Sequence, residues 1–436
     1  MALNRRKFLI GAGGLAAAAT GIGLGGCANS TSSSGGPQNE KGVANLSLAW
    51  WGNPTRNKNT EALIAAYMKT NPGVTITGQP GEYASYWDKL ATQTAGGDAP
   101  DIIQTDTAHI AEYGGRGAML DLAKYGADTS KFVEGTTDSG KINGTLYGVN
   151  AGINTVVLFA NPEVFNKANV SLPDDTTWTW DDLQQIASEV ASKASVPFGV
   201  AGMFGSDQFL AAWLRQHGKE LFTDQGLGFD AADVQSWFEL MVKYQKAKAI
   251  GTPEMTTEEA AKSLDQSALV VGRAAMQFNN SNQLEAINAA SGTSMRILRF
   301  PSLAGKATER KAWYNASMLW SASSKTKNPE AAVAWINWFI NSREAESIDK
   351  AERGFPANGD IQAYISPKLS TAQQTVAKFI ADIKPELGSS PIPMPPGGAT
   401  IGEVLSRHES DVLFGRSNTA DAAKKFADEV TSNLQG

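Results

Sequence analysis

Between Leu46 and Asp106, strand-like apolar runs alternate with helical periodicity, and this order restricts the fold more than any other stretch of the chain. Leu46-Ser47-Leu48-Ala49-Trp50-Trp51 reads as a strand stopped by Gly52-Asn53-Pro54. Thr60 to Thr70 fits a helix, with Leu63, Ala66 and Tyr67 on one face and Asn71-Pro72-Gly73 as its stop. Val74-Thr75-Ile76-Thr77 is a second strand. Tyr83, Tyr86, Trp87 and Leu90 then fall at i, i+3, i+4 and i+7, a helical face beginning near Ala84. Residues 100–105 form a third strand and 107–116 a third helix. Each helix must bury its apolar stripe on a parallel or mixed sheet, so the fold class is α/β. In such sheets ligands gather at the carboxyl ends of the strands. Those ends are Trp51-Gly52-Asn53, with Arg56 just beyond, and Asp106-Thr107.

Further along, 148–160 is an apolar and amide-bearing run long enough to leave one domain and enter the next. Thr179 and Asp182 form a capping box, with Leu183, Ile186, Ala187 and Val190 as the buried face behind it. Helical periodicity continues to about Lys262, broken at Gly226-Leu227-Gly228 and Gly251-Thr252-Pro253. Residues 274–278, ending in Asn279-Asn280, and residues 297–301 read as strands, and Asn328-Pro329-Glu330 starts a helix with proline at its first position. The four prolines of 391–398 exclude helix and central strand, leaving a shaped loop that either closes over a site or decorates the surface.

The chain has 436 residues, too many for one ordinary core, so two domains are expected. A net charge of −6 argues against nucleic acid, which needs a basic face. His109, His217 and His408 lack metal-ligand spacing and read as structural. No phosphate cradle, nucleophile elbow or kinase signature is present, and no cofactor is expected. At the other end of the chain, Arg5-Arg6 precede an uncharged run that ends in Leu24-Gly25-Gly26-Cys27. This resembles a twin-arginine export signal with a bacterial lipobox. It implies export, lipid on Cys27, the single cysteine, and anchoring at the outer face of the cell membrane or in the periplasm. Residues 1–27 are then the signal, and the Ser-, Asn- and Gly-rich 28–42 a flexible tether.

Several segments together resemble the solute-binding proteins of ABC importers, in the carbohydrate-binding family that includes maltose-binding protein. They are residues 50–56, 70–74, 86–90, 96–106, 148–150, 274–276 and 351–356, and they span the chain after residue 42. The resemblance implies a type II two-lobe fold, with lobe 1 at 43–152 plus 275–318 and lobe 2 at 153–274 plus 319–436. Two or three crossover strands would join the lobes, the ligand would sit between them, and hinge closure would follow binding. It implies a carbohydrate ligand, an ABC permease as partner, a monomer and no enzymatic activity.

Sugars offer hydroxyls at the ring edge and C–H patches on the face, which polar side chains and flat aromatic rings match. Polar candidates near strand ends are Trp51, Asn53, Arg56, Glu82, Asp106, Asn150, Asn279, Asn280 and Arg353. Candidate stacking platforms are Trp51, Tyr83, Trp87, Tyr147, Trp213, Trp313 and Tyr314. Asp106 is equally suited to capping the next helix. Arg56 and Arg353, if both face the cleft, hint at an acidic sugar. Two other readings remain open: an exported glycoside hydrolase, which needs two carboxylates flanking one bond, and the same fold holding a peptide or polyamine.

Overall fold

The computed structural model describes residues 43–435 apart from Asn53 and Asp224, and Val43–Gly436 forms one compact unit. Nine strands build its two larger sheets: β1 (Ala44–Trp51), β2 (Val74–Gly81), β3 (Ile102–Thr105), β4 (Val149–Asn154), β5 (Val156–Ala160), β6 (Phe198–Ala201), β7 (Ala274–Asn280), β8 (Arg296–Leu298) and β9 (Asn315–Ala322). The first sheet runs β2-β1-β3-β9-β4 and the second β8-β5-β7-β6. β1 is parallel to β2 and β3, while β9 runs antiparallel between β3 and β4. Both sheets are therefore mixed and flanked by helices, as the strand-helix alternation requires.

Each sheet has its own core. Leu48, Trp50, Ile102, Leu63 and Tyr67 meet Trp320, Trp335 and Phe339 in the first. Leu158, Phe159, Leu183, Val200, Trp237 and Phe426 belong to the second. β2 continues past Thr77 to Gly81 because Gly78 leaves room for Trp50, whose ring lies 2.9 Å from where a Cβ would stand. The capping box at Thr179 forms as read and starts the helix Trp180–Ala194. A strand hides in the helical block: β6 is a four-residue buried run pairing with β7, too short to interrupt the periodicity around it.

The division between the halves differs from the sequence reading in one exchange. Residues 275–298, expected in lobe 1, pair with β5 and β6 in the second sheet, Asn280 lying opposite Val156. Residues 319–349, expected in lobe 2, complete the first half, where β9 pairs with β3 and β4 and the helices Pro329–Asn341 and Arg343–Asp349 cover the sheet. A strand buried on both faces carries no sequence mark of its partner.

Three chain segments cross between the halves. The first is continuous from β4 through Thr155 into β5, the second enters β9 through Trp313-Tyr314, and the third is Arg353–Ala357. They are laced together. Ile153 and Phe355 exchange both backbone hydrogen bonds, at 2.7 and 2.9 Å, and Thr155 Oγ1 donates to the Trp313 carbonyl at 2.9 Å. The third crossing passes so close to Gly152 that a Cβ there would come within 2.3 Å of the Arg353 carbonyl oxygen.

Candidate functional site

The carboxyl ends of β1 and β3 carry an aromatic and acidic rim. Trp51 is buried, its ring edge-on to Tyr83 and Tyr86 at 5.4 and 5.1 Å and tilted against Trp87 at 5.4 Å. Trp87 in turn stacks on His109, with ring centres 3.7 Å apart and planes 13° from parallel. Asp106 organises the cluster. Its Oδ1 accepts the backbone N–H groups of Ala108 and His109 at 3.1 and 2.9 Å and lies 2.7 Å from His109 Nδ1. Its Oδ2 accepts the half-exposed Tyr83 hydroxyl at 3.0 Å. The carboxylate thus makes the turn before the helix Ile110–Gly115, and it also holds the Tyr83 ring. Burial, then the charge of Asp106, push the Tyr83 phenol upward, so it stays a neutral donor. Asp207 of the second half is within electrostatic reach of the same hydroxyl. Its own carboxyl is raised by desolvation, against the backbone N–H groups that start its helix.

The helix Ile110–Gly115 divides this rim from a larger space. Tyr113 lies toward Trp87, at 6.1 Å, while Ala111 and Gly115 line a cavity of about 1230 Å³ between the halves. Glu134, Asp138, Lys141 and Asn143 enter it from the first half, and Lys384, Ser389 and Ser390 from the second. Trp313, Tyr314 and Phe355 of the crossing segments also line it. The proline-rich loop forms one wall and reaches across: Met394 N–H donates to the Thr107 carbonyl and Ser390 Oγ to that of Gly135, both at 2.9 Å. Prolines fix φ and remove donors, so such a loop keeps its shape without strand pairing. Arg215, only 5% exposed, anchors the loop by donating to the Ser389 carbonyl, and its guanidinium lies 5.1 Å over the Trp313 ring. Tyr314 is held by its hydroxyl on the Ile380 carbonyl at 2.9 Å. Aromatic rings, amides, hydroxyls and both signs of charge around one cavity suit a polyhydroxylated ligand.

The remaining residues singled out from sequence are distributed differently. Arg353 is fully buried, bonding Asp349 at 2.8 Å, Gln104 at 3.1 Å and Thr60 at 2.7 Å. Arg56 pairs with Glu352 at 2.7 Å and donates to the Trp51 carbonyl. Both guanidiniums have internal carboxylates, which removes the basis for an acidic sugar. Asn150 is buried between the Thr136 carbonyl and the Gly152 N–H. Trp213 belongs to the second core, its indole on Ser236 Oγ at 2.8 Å. Tyr147 lies over Gly114, where a Cβ would meet its ring at 2.8 Å. Glu82 is exposed just before the helix Tyr83–Gly96. Asn279 lines a separate cavity of about 310 Å³, and the neighbouring Asn280 Oδ1 is buried without a hydrogen bond. Asn53 and Cys27 lie outside the described residues. Among the described residues no cluster of three His, Cys, Asp or Glu side chains is arranged to hold a metal. Glu134, Asp138, Lys141, Lys384 and Asp207 were not read from the sequence. They stand in loops, hairpins and helix starts with no motif, and only the proline run marked the neighbouring wall.

Residues 62–378 match the family model of bacterial extracellular solute-binding proteins. The chain belongs to this family. Among relatives of this solute-binding protein is a maltooligosaccharide ABC transporter solute-binding lipoprotein of Streptococcus pneumoniae, 23% identical over 74% of the present chain and 75% of the relative. A periplasmic solute-binding protein of Pectobacterium atrosepticum shares the fold with a TM-score of 0.80 at 18% identity, covering 90% of this chain and 99% of that one. An ABC substrate-binding protein of Listeria monocytogenes, solved in complex with cycloalternan, matches with a TM-score of 0.76 at 19% identity over 90% and 99%. The two-sheet architecture is therefore that of type II periplasmic binding proteins. Among the described residues no helix is long and apolar enough to cross a membrane.

Proposed function

We propose that this solute-binding protein captures an oligosaccharide outside the cell and hands it, unhydrolysed, to an ABC permease. Lipid on Cys27 would hold it at the membrane surface. The observation that carries this reading is the cavity of about 1230 Å³ between the halves, walled by Trp313, Tyr314 and the proline-rich loop. It exceeds the roughly 300–1,000 Å³ of pockets for drug-sized molecules, as a ligand of several rings requires. Tyr314 would cover a C–H face, while Glu134, Asn143 and Ser390 would take hydroxyls. Tyr83, Trp87 and Asp106 on the rim would extend contact beyond the short helix. The S. pneumoniae relative named for maltooligosaccharides and the Listeria protein solved with cycloalternan support the same ligand class.

A thermal-shift and titration screen of the chain from Ser30 onward tests this, since Val43–Gly436 is one compact unit. A ligand at 100 times its dissociation constant adds about 2.7 kcal/mol, which moves the melting temperature by degrees. We expect a rise with neutral oligosaccharides, none with peptides or polyamines, and no monosaccharide release on long incubation. A rise with peptides alone, or hydrolysis of the sugar, would overturn the reading.

A further inference from the structure

The cavity of about 310 Å³ lies wholly within the second half and shares no lining residue with the larger one. It lies between the edge strand β6, through Phe198 and Val200, and the helix Pro253–Ala260. Three polar side chains in its wall are more than nine-tenths buried, Thr256 and Glu259 at 8% and Ser267 at 5% exposure, and of these Thr256 donates to the Gly251 carbonyl at 3.3 Å. Glu259 Oε1 accepts the Ala268 N–H at 2.5 Å. Its Oε2 has no hydrogen bond, and Lys262 Nζ stands 3.6 Å away. Ser267 Oγ and Gln283 Oε1, in the same wall, are likewise buried without partners. Buried polar atoms are seldom left unpaired, because each gave up water to get there. Three around one cavity call for an occupant that brings donors.

The cavity's size and charge narrow that occupant. The volume is at the bottom of the roughly 300–1,000 Å³ range of small-molecule pockets, enough for one ring. Phe198, Phe204 and Met241 supply apolar wall. Lys262 Nζ lies between the exposed Glu258, at 3.0 Å, and the buried Glu259, at 3.6 Å, so the buried carboxylate already faces a cation, which suits a neutral ligand that both donates and accepts. We infer that this cavity binds a neutral single-ring polyol, its hydroxyls donating to Glu259, Ser267 and Gln283 and one hydroxyl oxygen accepting from Lys262. This site is independent of oligosaccharide capture between the halves.

The test uses glucose and myo-inositol as probes on the chain from Ser30, by titration and by crystals soaked in either compound, with ethanolamine in a parallel arm. Glu259→Gln keeps the acceptor for Ala268 N–H and turns the unpaired position into a donor; Gln283→Leu removes a different acceptor. We expect ring density against Glu259 and about tenfold weaker binding in each variant, the cost of one hydrogen bond to the ligand, with unchanged melting temperature. If Glu259→Gln does not fold, Gln283→Leu alone decides. Density only in the larger cavity, an empty small cavity at saturating probe, or undiminished binding by the variants overturns the proposal. Ethanolamine bound in place of either polyol overturns the ligand class.

Discussion

Arg353 shows how much one residue's position decides its role. Its guanidinium is fully buried, bonded to Asp349, Gln104 and Thr60, and lies 5.0 Å from the Trp320 ring centre. Desolvation raises the carboxyl of Asp349, and Arg353 is the main opposing influence. Removing the cation leaves a buried carboxyl unpaired, so Arg353→Met should cost about 3–5 kcal/mol, read from the urea midpoint. Ligand affinity per folded molecule should not change; a large loss of affinity without loss of stability would return Arg353 to the site.

Glu409 is the second residue with a measurable signature. Burial raises its carboxyl to about 7, against the Gly205 N–H and the Trp237 indole that it accepts at 2.6 and 2.7 Å. The folded value exceeds the unfolded one, so the native state binds the proton more tightly. Stability from this group is full below about pH 4.5 and is lost as pH rises to about 7, a change of about 3 kcal/mol. Glu409→Gln should flatten that slope, and parallel stability-pH curves for both proteins would refute the assignment.

At the scale of elements, the proline-rich loop is the clearest case. Its composition excluded helix and strand, but its reach across to Thr107 and Gly135 depends on where the flanking helices Thr371–Asp382 and Ile401–Leu413 are packed. Met394 contributes the backbone N–H of the Thr107 contact, and proline at that position removes the donor. Met394→Pro should therefore speed ligand release severalfold with little change in melting temperature. Stopped-flow dissociation measures this, and an unchanged off-rate would mean that the loop does not hold the halves together.

At the scale of the whole molecule, three laced crossings join two separately packed halves, the arrangement from which hinge motion arises. X-ray scattering should show a smaller radius of gyration on saturation with the bound sugar, and identical values with and without ligand would exclude closure.

Much of this architecture was legible in local patterns. The strand-helix order from Leu46 to Asp106, the continuous run across Thr155 and the capping box at Thr179 all rest on periodicity and backbone chemistry that act over a few residues. What local patterns could not carry was partnership. Ala274–Asn280 and Asn315–Ala322 are both apolar strands, and which sheet each joins depends on contacts more than a hundred residues away. Likewise Trp51, Trp213 and Trp313 are the same residue type near turns or helix ends. Packing alone buried all three in the cores, and only the third also borders the large cavity. The sequence by itself determined an α/β chain with an aromatic, amide-rich set of strand ends. Tertiary structure decided which of those side chains meet each other and which face open space, because burial is a property of the neighbours a residue acquires.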